Sequence, residues 1–443
     1  MDGLIMAGQL LLGLSILIVL HELGHFLAAR AFGIKVEKFY LFFDAWGFRL
    51  IHFTYKGCEY GIGWLPLGGY VKIAGMIDES MDTAQMTRPP QVWEFRSKPV
   101  WQRLIVMLGG VTVNIILGIF IFWMLTLKFG ETYTPNNKLV DGIVPGKIGK
   151  EIGLQTGDQI TALNGKIIER FEDLKSSKVL LGGAELTIIR HGKTDVIKVP
   201  DNIFEKVSTY GISEFIQPRA ACSILAVTKN SNADKAGLKV GDQIIKIKNT
   251  PVKFYDKLDA FNNEIQANKN KVIVLTVLRN TSIIQLNPLV AADGTIGITT
   301  FPKNIPQENI HYGLVQSFPV GASKAWVQFS DNAKGLGKIA SGQLKANKAL
   351  AGPIGIATLF GKTVDWIRFW NLVGMLSMAL ALMNLLPIPA LDGGHAIFLL
   401  IEMVKGKPLS DKFMERSQLV GFVILISLMI FVFGNDIVKH VIN

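Results

Sequence analysis

Apolar residues form four long runs along the chain, and each run is about as long as a membrane-spanning helix. Between the second and third runs the pattern changes to short alternations of apolar and polar residues, which are typical of half-buried strands. Before the second run, Tyr60 to Gly75 alternates apolar residues with glycine and predicts extended strands with sharp turns. We therefore expect a polytopic α-helical membrane protein of about four transmembrane helices, with a membrane-associated β-hairpin region and two inserted α+β domains.

These patterns divide the chain into consecutive segments. The predicted segments are transmembrane helix 1 at 1–32, a cytoplasmic-side β-hairpin region at 33–99, transmembrane helix 2 at 100–128, inserted domains at 129–208 and 209–303, an extracytoplasmic helical region at 304–364, transmembrane helix 3 at 365–396, a short cytoplasmic helix and loop at 397–416, and transmembrane helix 4 with a tail at 417–443. Asp78 to Pro90 is polar and is expected to form a loop, and Ala351 to Ala357 is expected to form a turn.

The insertion contains an internal repeat. Gly153-Leu-Gln-Thr-Gly-Asp-Gln-Ile160 recurs as Gly237-Leu-Lys-Val-Gly-Asp-Gln-Ile244, and alternating apolar residues follow each copy. A repeat of this length predicts two tandem small domains rather than a solenoid. Two inert spacer domains would produce the same pattern.

Composition and charge agree with a membrane protein. The chain has 443 residues, of which 49% are hydrophobic, and a net charge of +11. No block of Lys and Arg resembles a nucleic-acid-binding arm, so we expect no nucleic-acid partner. Cys58 and Cys222 fall on predicted opposite sides of the membrane, so no disulfide is expected. Met1-Asp-Gly3 carries no positive charge, so helix 1 is expected to be retained.

The positive-inside rule predicts an orientation. Arg30, Lys35 and Lys38 follow the first apolar run, and no Lys or Arg precedes it. The N-terminus is therefore expected outside and the end of helix 1 near the cytoplasmic face. Four spans then place the C-terminus and both inserted domains outside.

The first apolar run ends in His21-Glu-Leu-Gly-His25. Residues four apart lie on one face of a helix, so His21 and His25 can share one metal ion, and Glu22 can take a proton from water beside it. The alternative is that the two histidines only end a helix and the glutamate is exposed, which would produce the same sequence. Ionisable groups inside an apolar span are costly unless they have a function, which favours a metal site.

A second polar sequence, Asn384-Leu-Leu-Pro-Ile-Pro-Ala-Leu-Asp-Gly-Gly-His395, ends the third apolar run. Two prolines and two glycines cannot continue a regular helix, and irregular backbone at membrane depth is tolerated where it lines a cavity. A catalytic zinc has three protein ligands and one open position, so we expect Asp392 to complete a site for one Zn²⁺ with His21 and His25. A helix N-cap is the alternative role for Asp392.

Three neighbouring side chains have open roles. Asn384 can donate to a developing oxyanion or hold substrate backbone, or it can seal the helix break. Asn114, inside the second apolar run, either packs against a neighbouring helix or supports the site. For His395 we prefer a supporting or packing role to metal ligation.

The two distant motifs and the repeat between them resemble the site-2 protease family, of the bacterial type with tandem PDZ domains, over essentially the whole chain. The resemblance implies a membrane-embedded zinc metalloendopeptidase in which His21, His25 and Asp392 bind zinc, Glu22 is catalytic and Asn384 handles substrate. It also implies that the inserted domains are PDZ domains that act as a substrate-size filter.

The same resemblance implies partners and a location. The substrates would be single-span membrane proteins, of the anti-sigma-factor type or signal-peptide remnants, cut in regulated intramembrane proteolysis after an upstream, site-1-type protease has trimmed them. The protein would lie in the lipid bilayer of the bacterial inner membrane, with its PDZ domains periplasmic and its active site near the cytoplasmic face.

A helical substrate must unwind to be cut, and an extended strand edge can pair with the freed backbone. We expect Tyr60 to Ala74 to supply that edge, with Pro66 marking a turn, and Gly61 to Gly75 resembles the family's membrane-reentrant hairpin. The predicted substrate-handling residues are Asn384, Asn114, Gly61, Gly63, Tyr70 and Val71.

Two departures from the family pattern stand out. Val111 follows Gly110 where the family often has proline, and Asp44-Ala-Trp-Gly-Phe-Arg49 is bulkier than the family's glycine-rich form. Two other classes of protein remain: an inactive PDZ scaffold, which would not need Glu22 and Asp392, and an ion transporter, which should show inverted repeats that this sequence lacks.

Overall fold

The computed structural model describes residues 2–76, 89–303 and 305–439, so most of the expected loop from Asp78 to Pro90 lies outside the described residues. The chain divides into two compact units. Met1–Gly130 and His311–Asn443 together form the first, which we call the membrane unit, and Glu131–Ile310 forms the second, which we call the insertion.

The membrane unit begins with a long helix, a group of strands and a second helical segment. Its first elements are α1 (Asp2–Ala31), β1 (Val36–Phe43), β2 (Arg49–Tyr55), β3 (Cys58–Gly63), β4 (Leu65–Ile73), α2 (Val100–Met107) and α3 (Gly109–Phe129). The elements of the insertion are β5 (Glu131–Tyr133), β6 (Ile143–Pro145), α4 (Lys147–Glu151), β7 (Gln159–Leu163), β8 (Lys166–Ile167), α5 (Ser177–Leu180), β9 (Glu185–Arg190), β10 (Lys193–Lys198), α6 (Ile203–Tyr210), β11 (Ile216–Pro218), β12 (Ala221–Val227), α7 (Asn232–Lys235), β13 (Gln243–Ile247), β14 (Thr250–Pro251), α8 (Leu258–Ala267), β15 (Leu275–Arg279), β16 (Ser282–Leu286), β17 (Ile298–Lys303) and β18 (Glu308–Ile310). The membrane unit resumes with α9 (Leu314–Ala340), α10 (Ala346–Ala349), α11 (Pro353–Phe360), α12 (Trp366–Leu385), α13 (Asp392–Lys405) and α14 (Asp411–Ile437).

Among the described residues, four helices are long and apolar enough to cross a membrane: α1, α3, α12 and residues 412–437 of α14. Their number agrees with the four apolar runs of the sequence. Helix 2 differs from the prediction, because the segment 100–128 is broken at Leu108, whose φ of −82° and ψ of −1° separate the short α2 from α3.

One segment after the insertion agrees with the prediction and one differs from it. Residues 304–364 were expected to form a helical region, and α9, α10 and α11 lie there. α9 packs along the apolar helix α3: Gly321 meets the backbone of Trp123, and Ala325 is buried against Phe122. Ala351 to Ala357, expected to be a turn, opens α11, because Pro353 at its first position is pre-set for a helix.

The predicted hairpin is instead part of a four-stranded sheet in the order β2-β3-β1-β4. β3 runs parallel to β1 and β4 antiparallel to it, so β1 separates the two strands that were expected to pair. β4 is consequently an edge strand. It contains Pro66, which was expected to mark a turn, and an edge strand tolerates a residue without an N–H.

The insertion contains two similarly built halves. In the first, Asp158 is 1% exposed and accepts a bidentate pair of hydrogen bonds from Arg190, at 2.8 and 2.7 Å. In the second, Asp242 accepts the same pair from Arg279, at 2.8 Å each. The aspartates of the repeated Gly-Asp pair are therefore structural, because each ties its glycine loop to a strand.

The boundary between these halves lies later than the predicted division at residue 209. Phe215 and Ile216 are fully buried in the apolar core of the first half, and β11 pairs with β6. The first half therefore extends through Pro218. At the start and end of the insertion, β5 pairs with β18, so the chain enters and leaves through neighbouring strands.

Candidate metal centre

The two histidines of α1 point one donor atom each at the same place. His21 and His25 are 8% and 6% exposed, and their Nε2 atoms lie 3.3 Å apart. A single helical turn aligns them, because residues four apart share a face. Their rings meet edge to face, with centroids 4.9 Å apart, so both can present a lone pair to one ion.

Asp392 supplies a third donor atom from the other end of the chain. α12 ends at Leu385, because Pro387 and Pro389 cannot continue it, and α13 begins at Asp392 itself. The Asp392 Oδ2 atom lies 3.4 Å from His21 Nε2 and 3.2 Å from His25 Nε2. That oxygen is buried and makes no hydrogen bond within the described chain.

The three atoms have the spacing of a metal site. Zinc bound tetrahedrally by nitrogen and oxygen at about 2.0–2.1 Å separates its ligand atoms by about 3.3 Å. The three separations here are 3.2, 3.3 and 3.4 Å. Among the described residues, His21, His25 and Asp392 form a cluster able to hold a metal ion, and their nitrogen and oxygen donors fit Zn²⁺ with a fourth position left for water.

The outer nitrogen of each imidazole has a partner on the segment around the break at Leu108. His25 Nδ1 lies 2.8 Å from the Val106 carbonyl oxygen, which can only accept, so this nitrogen carries the proton and Nε2 is free to ligate. His21 Nδ1 lies 3.0 Å from the Asn114 amide. Asn114 Oδ1 is buried without a hydrogen-bond partner among the described residues, and turning the amide over would let it accept from His21 Nδ1–H. Asn114 is completely buried, which favours support of His21 over the predicted contact with substrate.

Two glycines allow this close approach. Gly109 lies against the backbone of Gly24, so a Cβ on Gly109 would be 2.6 Å from the Gly24 carbonyl oxygen. A Cβ on Gly110 would be 2.4 Å from His25 Nε2 and 2.5 Å from His21 Cε1. The start of α3 is therefore pressed against the imidazoles, where any side chain would collide with them.

Glu22 of α1 lies beside the donor atoms and is half-buried on the side that faces β4. Its Cγ would be 3.4 Å from a Cβ placed on Gly69 of β4, and it directly follows His21 in α1. Asn384, in the last turn of α12, places Nδ2 3.2 Å from His21 Nε2, on the side of the ring that faces the metal position. Both side chains can therefore reach a molecule bound at the centre.

The other predicted substrate-handling residues are less favourably placed. Gly61 and Gly63 lie in β3, between β2 and β1, and a Cβ on them would strike the Tyr40 ring and the Phe43 backbone. Tyr70 and Val71 lie in the edge strand β4. The Tyr70 hydroxyl donates to Asp44 at 2.8 Å, and the Val71 side chain is 8% exposed within an apolar cluster. The structure therefore argues against a substrate contact for both glycines and leaves only the backbone edge of β4 open to that role.

His395 is separate from the ligand cluster. Its Nε2 lies 3.0 Å from the Gln418 amide, and its ring meets Phe398 at a centroid distance of 6.3 Å. This placement fits the preferred supporting or packing role.

Sequence reasoning missed the contribution of Val106 and an ion pair between Arg103 and Glu402. A backbone carbonyl belongs to every residue, so the sequence does not distinguish the one at Val106. Glu402, however, directly follows the six apolar residues 396–401, and an ionisable residue at the end of such a run was a usable signal.

Comparison with known proteins agrees with this geometry. The model of Peptidase family M50 matches residues 9–428. The chain is 29% identical to a "Regulator of sigma E protease" of Haemophilus influenzae, over 98% of both chains. It is 30% identical to the "Regulator of sigma-E protease RseP" of Escherichia coli K12, over 96% of this chain and 97% of that one, and 28% identical to a "Putative zinc metalloprotease" of Vibrio cholerae, over 97% of both. The match extends from before the histidine pair to beyond Asp392, and the chain therefore belongs to Peptidase family M50.

Proposed function

We propose that this chain, a membrane zinc metalloprotease, cuts single-span membrane proteins within the lipid bilayer of the bacterial inner membrane. The observation that carries the proposal is the convergence of His21 Nε2, His25 Nε2 and Asp392 Oδ2 at tetrahedral spacing, next to a catalytic carboxylate on α1. Relatives named as zinc metalloprotease and as regulators of sigma E support both the metal and a regulatory role.

The residues divide the chemistry among them. His21, His25 and Asp392 hold one Zn²⁺, which when bound supplies a Lewis acid that acidifies water and polarises a carbonyl. Glu22 accepts the proton that the attacking water loses and returns it to the departing amine. Asn384 donates through Nδ2 to the oxygen of the carbonyl under attack, where negative charge develops. Val106 and Asn114 keep the imidazoles in the tautomer that leaves Nε2 free.

The edge strand β4 is the part of the sheet suited to hold the substrate. Lipid offers no hydrogen bonds to an unwound helix, so the scissile segment must pair with protein backbone. β4 packs directly on α1, because Gly69 meets Ile18 and approaches Glu22. A substrate strand added to this edge would pass beside the catalytic carboxylate.

The insertion acts as a filter in this proposal. We identify its halves, Glu131–Pro218 and the following residues through Lys303, as two extracytoplasmic PDZ domains, supported by the repeated Gly-Leu and Gly-Asp loops. They screen ectodomains by size, so that only substrates already trimmed by another protease are cut. Anti-sigma-factor-type proteins and signal-peptide remnants are substrates of this kind.

The test combines a zinc assay with a cleavage assay on purified full-length protein in lipid. Glu22→Gln should keep zinc bound near one per chain and lower cleavage of a trimmed single-span substrate by about 10²–10⁴-fold, the usual contribution of a general base. Asp392→Asn should also weaken zinc retention, because a neutral amide is a poorer ligand than a carboxylate.

Glu415→Gln removes the same charge from an exposed position on α14 and should change neither property. A fully active Glu22→Gln protein would contradict the proposed mechanism. Zinc bound without cleavage of any substrate by the parent protein would favour an inactive scaffold.

A further inference from the structure

A largely buried ion pair joins α2 to α13. Arg103 donates to both carboxylate oxygens of Glu402, from Nη1 to Oε2 at 3.1 Å and from Nη2 to Oε1. Each side chain is only 12% exposed. Arg103 Nε also donates to the Lys98 carbonyl oxygen at 3.0 Å, and the guanidinium lies 5.9 Å from the centroid of the Phe95 ring. Lys98 and Phe95 therefore hold the Arg103 guanidinium in place independently of Glu402.

α2 contacts the metal centre as well. Three residues after Arg103, the Val106 carbonyl oxygen accepts from His25. The partner helix α13 begins at Asp392, and Glu402 lies about 15 Å further along it. Leu399, one turn before Glu402, is buried in the same apolar cluster as Val106. α2 therefore contacts His25 directly and forms an ion pair with α13, the helix that carries Asp392.

An ion pair at this position fixes the orientation of α13 in a way that an apolar contact would not. Burying two charges removes their hydration, so well-packed apolar side chains would hold the two helices together at least as well. A bidentate guanidinium–carboxylate pair adds direction, because its two parallel hydrogen bonds fix both the rotation and the axial position of α13. The donor set requires such accuracy, since Asp392 Oδ2 must stay close to two imidazole nitrogens at once.

We propose that Arg103 and Glu402 are positioning residues for the metal centre, which hold α13 at the register where Asp392 meets both histidines. The inference rests on the proposed role of His21, His25 and Asp392 as zinc donors. The pair acts through α13 and not by contact with substrate or metal.

The test measures zinc affinity by competition with a chromophoric chelator on the purified full-length protein, together with thermal unfolding of the zinc-free form. The variant Arg103→Met/Glu402→Leu replaces the ion pair by an apolar contact. We expect zinc affinity to fall by about tenfold or more, as when groups that support metal ligands are removed, while unfolding of the zinc-free protein is unchanged.

A matched control removes an exposed ion pair from the insertion. In Lys138→Met/Glu308→Leu the lost side chains are 56% and 40% exposed, and zinc affinity should not change. Arg103→Lys keeps the charge but not the fork, so its zinc affinity should lie between those of the parent and the apolar double variant. The reversal Arg103→Glu/Glu402→Arg should bind zinc more tightly than either single reversal.

The inference would be overturned if the apolar double variant bound zinc as tightly as the parent protein. It would also be overturned if the double reversal bound zinc no more tightly than either single reversal. If the apolar double variant does not fold, Arg103→Lys and the reversal decide the question. Absence of zinc binding by the parent protein would overturn the proposed function and this inference together, whereas parental affinity in the variants overturns this inference alone.

Discussion

Gly110 shows how strictly single residues are constrained at the metal centre. Gly110→Ala would place a Cβ 2.4 Å from His25 Nε2, so the imidazole must move away from the other two donors. We expect zinc affinity to fall by at least tenfold and cleavage to fall with it, measured by chelator competition and substrate turnover. Gly337→Ala adds the same methyl group where no atom of the described residues lies within 4 Å, and it should leave both unchanged. Normal zinc binding by Gly110→Ala would mean that α3 can move away from the imidazoles and make room for the methyl group.

At this scale, sequence could predict the residues proposed to carry the chemistry and not those that position them. His21, Glu22, His25 and Asp392 follow from metal chemistry and helical spacing. Val106 contributes a carbonyl oxygen, which every residue has, so no sequence pattern marks it. The burial of Asn114 beneath His21 depends on how α3 packs against α1, and a single sequence does not specify that packing.

The edge strand β4 can be tested by a proline scan at Tyr70, Val71 and Lys72. In an edge strand, alternate N–H groups face the neighbouring strand or the open side. Proline at a position that faces β1 should destabilise the sheet, and proline at an outward position should lower cleavage without loss of zinc. Thermal stability, zinc content and turnover measured together separate these effects.

Substrates with helix-breaking residues near the cut site need less help to unwind, so outward-facing prolines should slow their cleavage less. Equal losses for stable and unstable substrate helices would indicate that β4 only packs against the protein. Ile62→Pro is a useful comparison: it lies in the interior strand β3, so it should disrupt the sheet whatever the substrate.

Elements were predictable where one physical signal dominated. Apolar length predicted the four spanning helices, and the prolines at 387 and 389 predicted the end of α12. The four-stranded sheet was not predictable, because β1 inserts between β3 and β4, and non-adjacent pairing leaves no local pattern. The spacing between Arg190 and Arg279 differs from the spacing between Asp158 and Asp242. The two arginines therefore do not follow the repeat, and sequence analysis missed them.

The orientation of the whole molecule can be tested with introduced thiols. Cys58 and Cys222 are each 1% exposed, and burial raises the pKa of Cys222 to about 11, so the native thiols should react slowly. In a background without them, Lys235→Cys and Lys407→Cys place thiols at exposed positions. An impermeant reagent should label Lys235→Cys in intact cells and Lys407→Cys only after permeabilisation. The reverse pattern would invert the proposed topology.

Removal of the insertion tests the proposed filter. Glu131 pairs with Ile310, and paired strands are about 5 Å apart, so a two-residue link can join Gly130 to His311. The shortened protein should keep its zinc and cut untrimmed substrates that the parent rejects, as measured by cleavage of one substrate with and without its ectodomain. If it remains active and equally selective, selection lies in the membrane unit.

The placement of the proposed zinc donors at opposite ends of the chain has a consequence during synthesis. The ribosome makes both histidines and Glu22 at the outset and Asp392 only after the entire insertion. At ordinary elongation rates, a delay on the order of tens of seconds separates them. A nascent chain therefore carries an incomplete donor set until almost all of it has been translated. Proteolytic competence arrives with the last spans, so an unfinished or truncated protein cannot attack the membrane proteins around it.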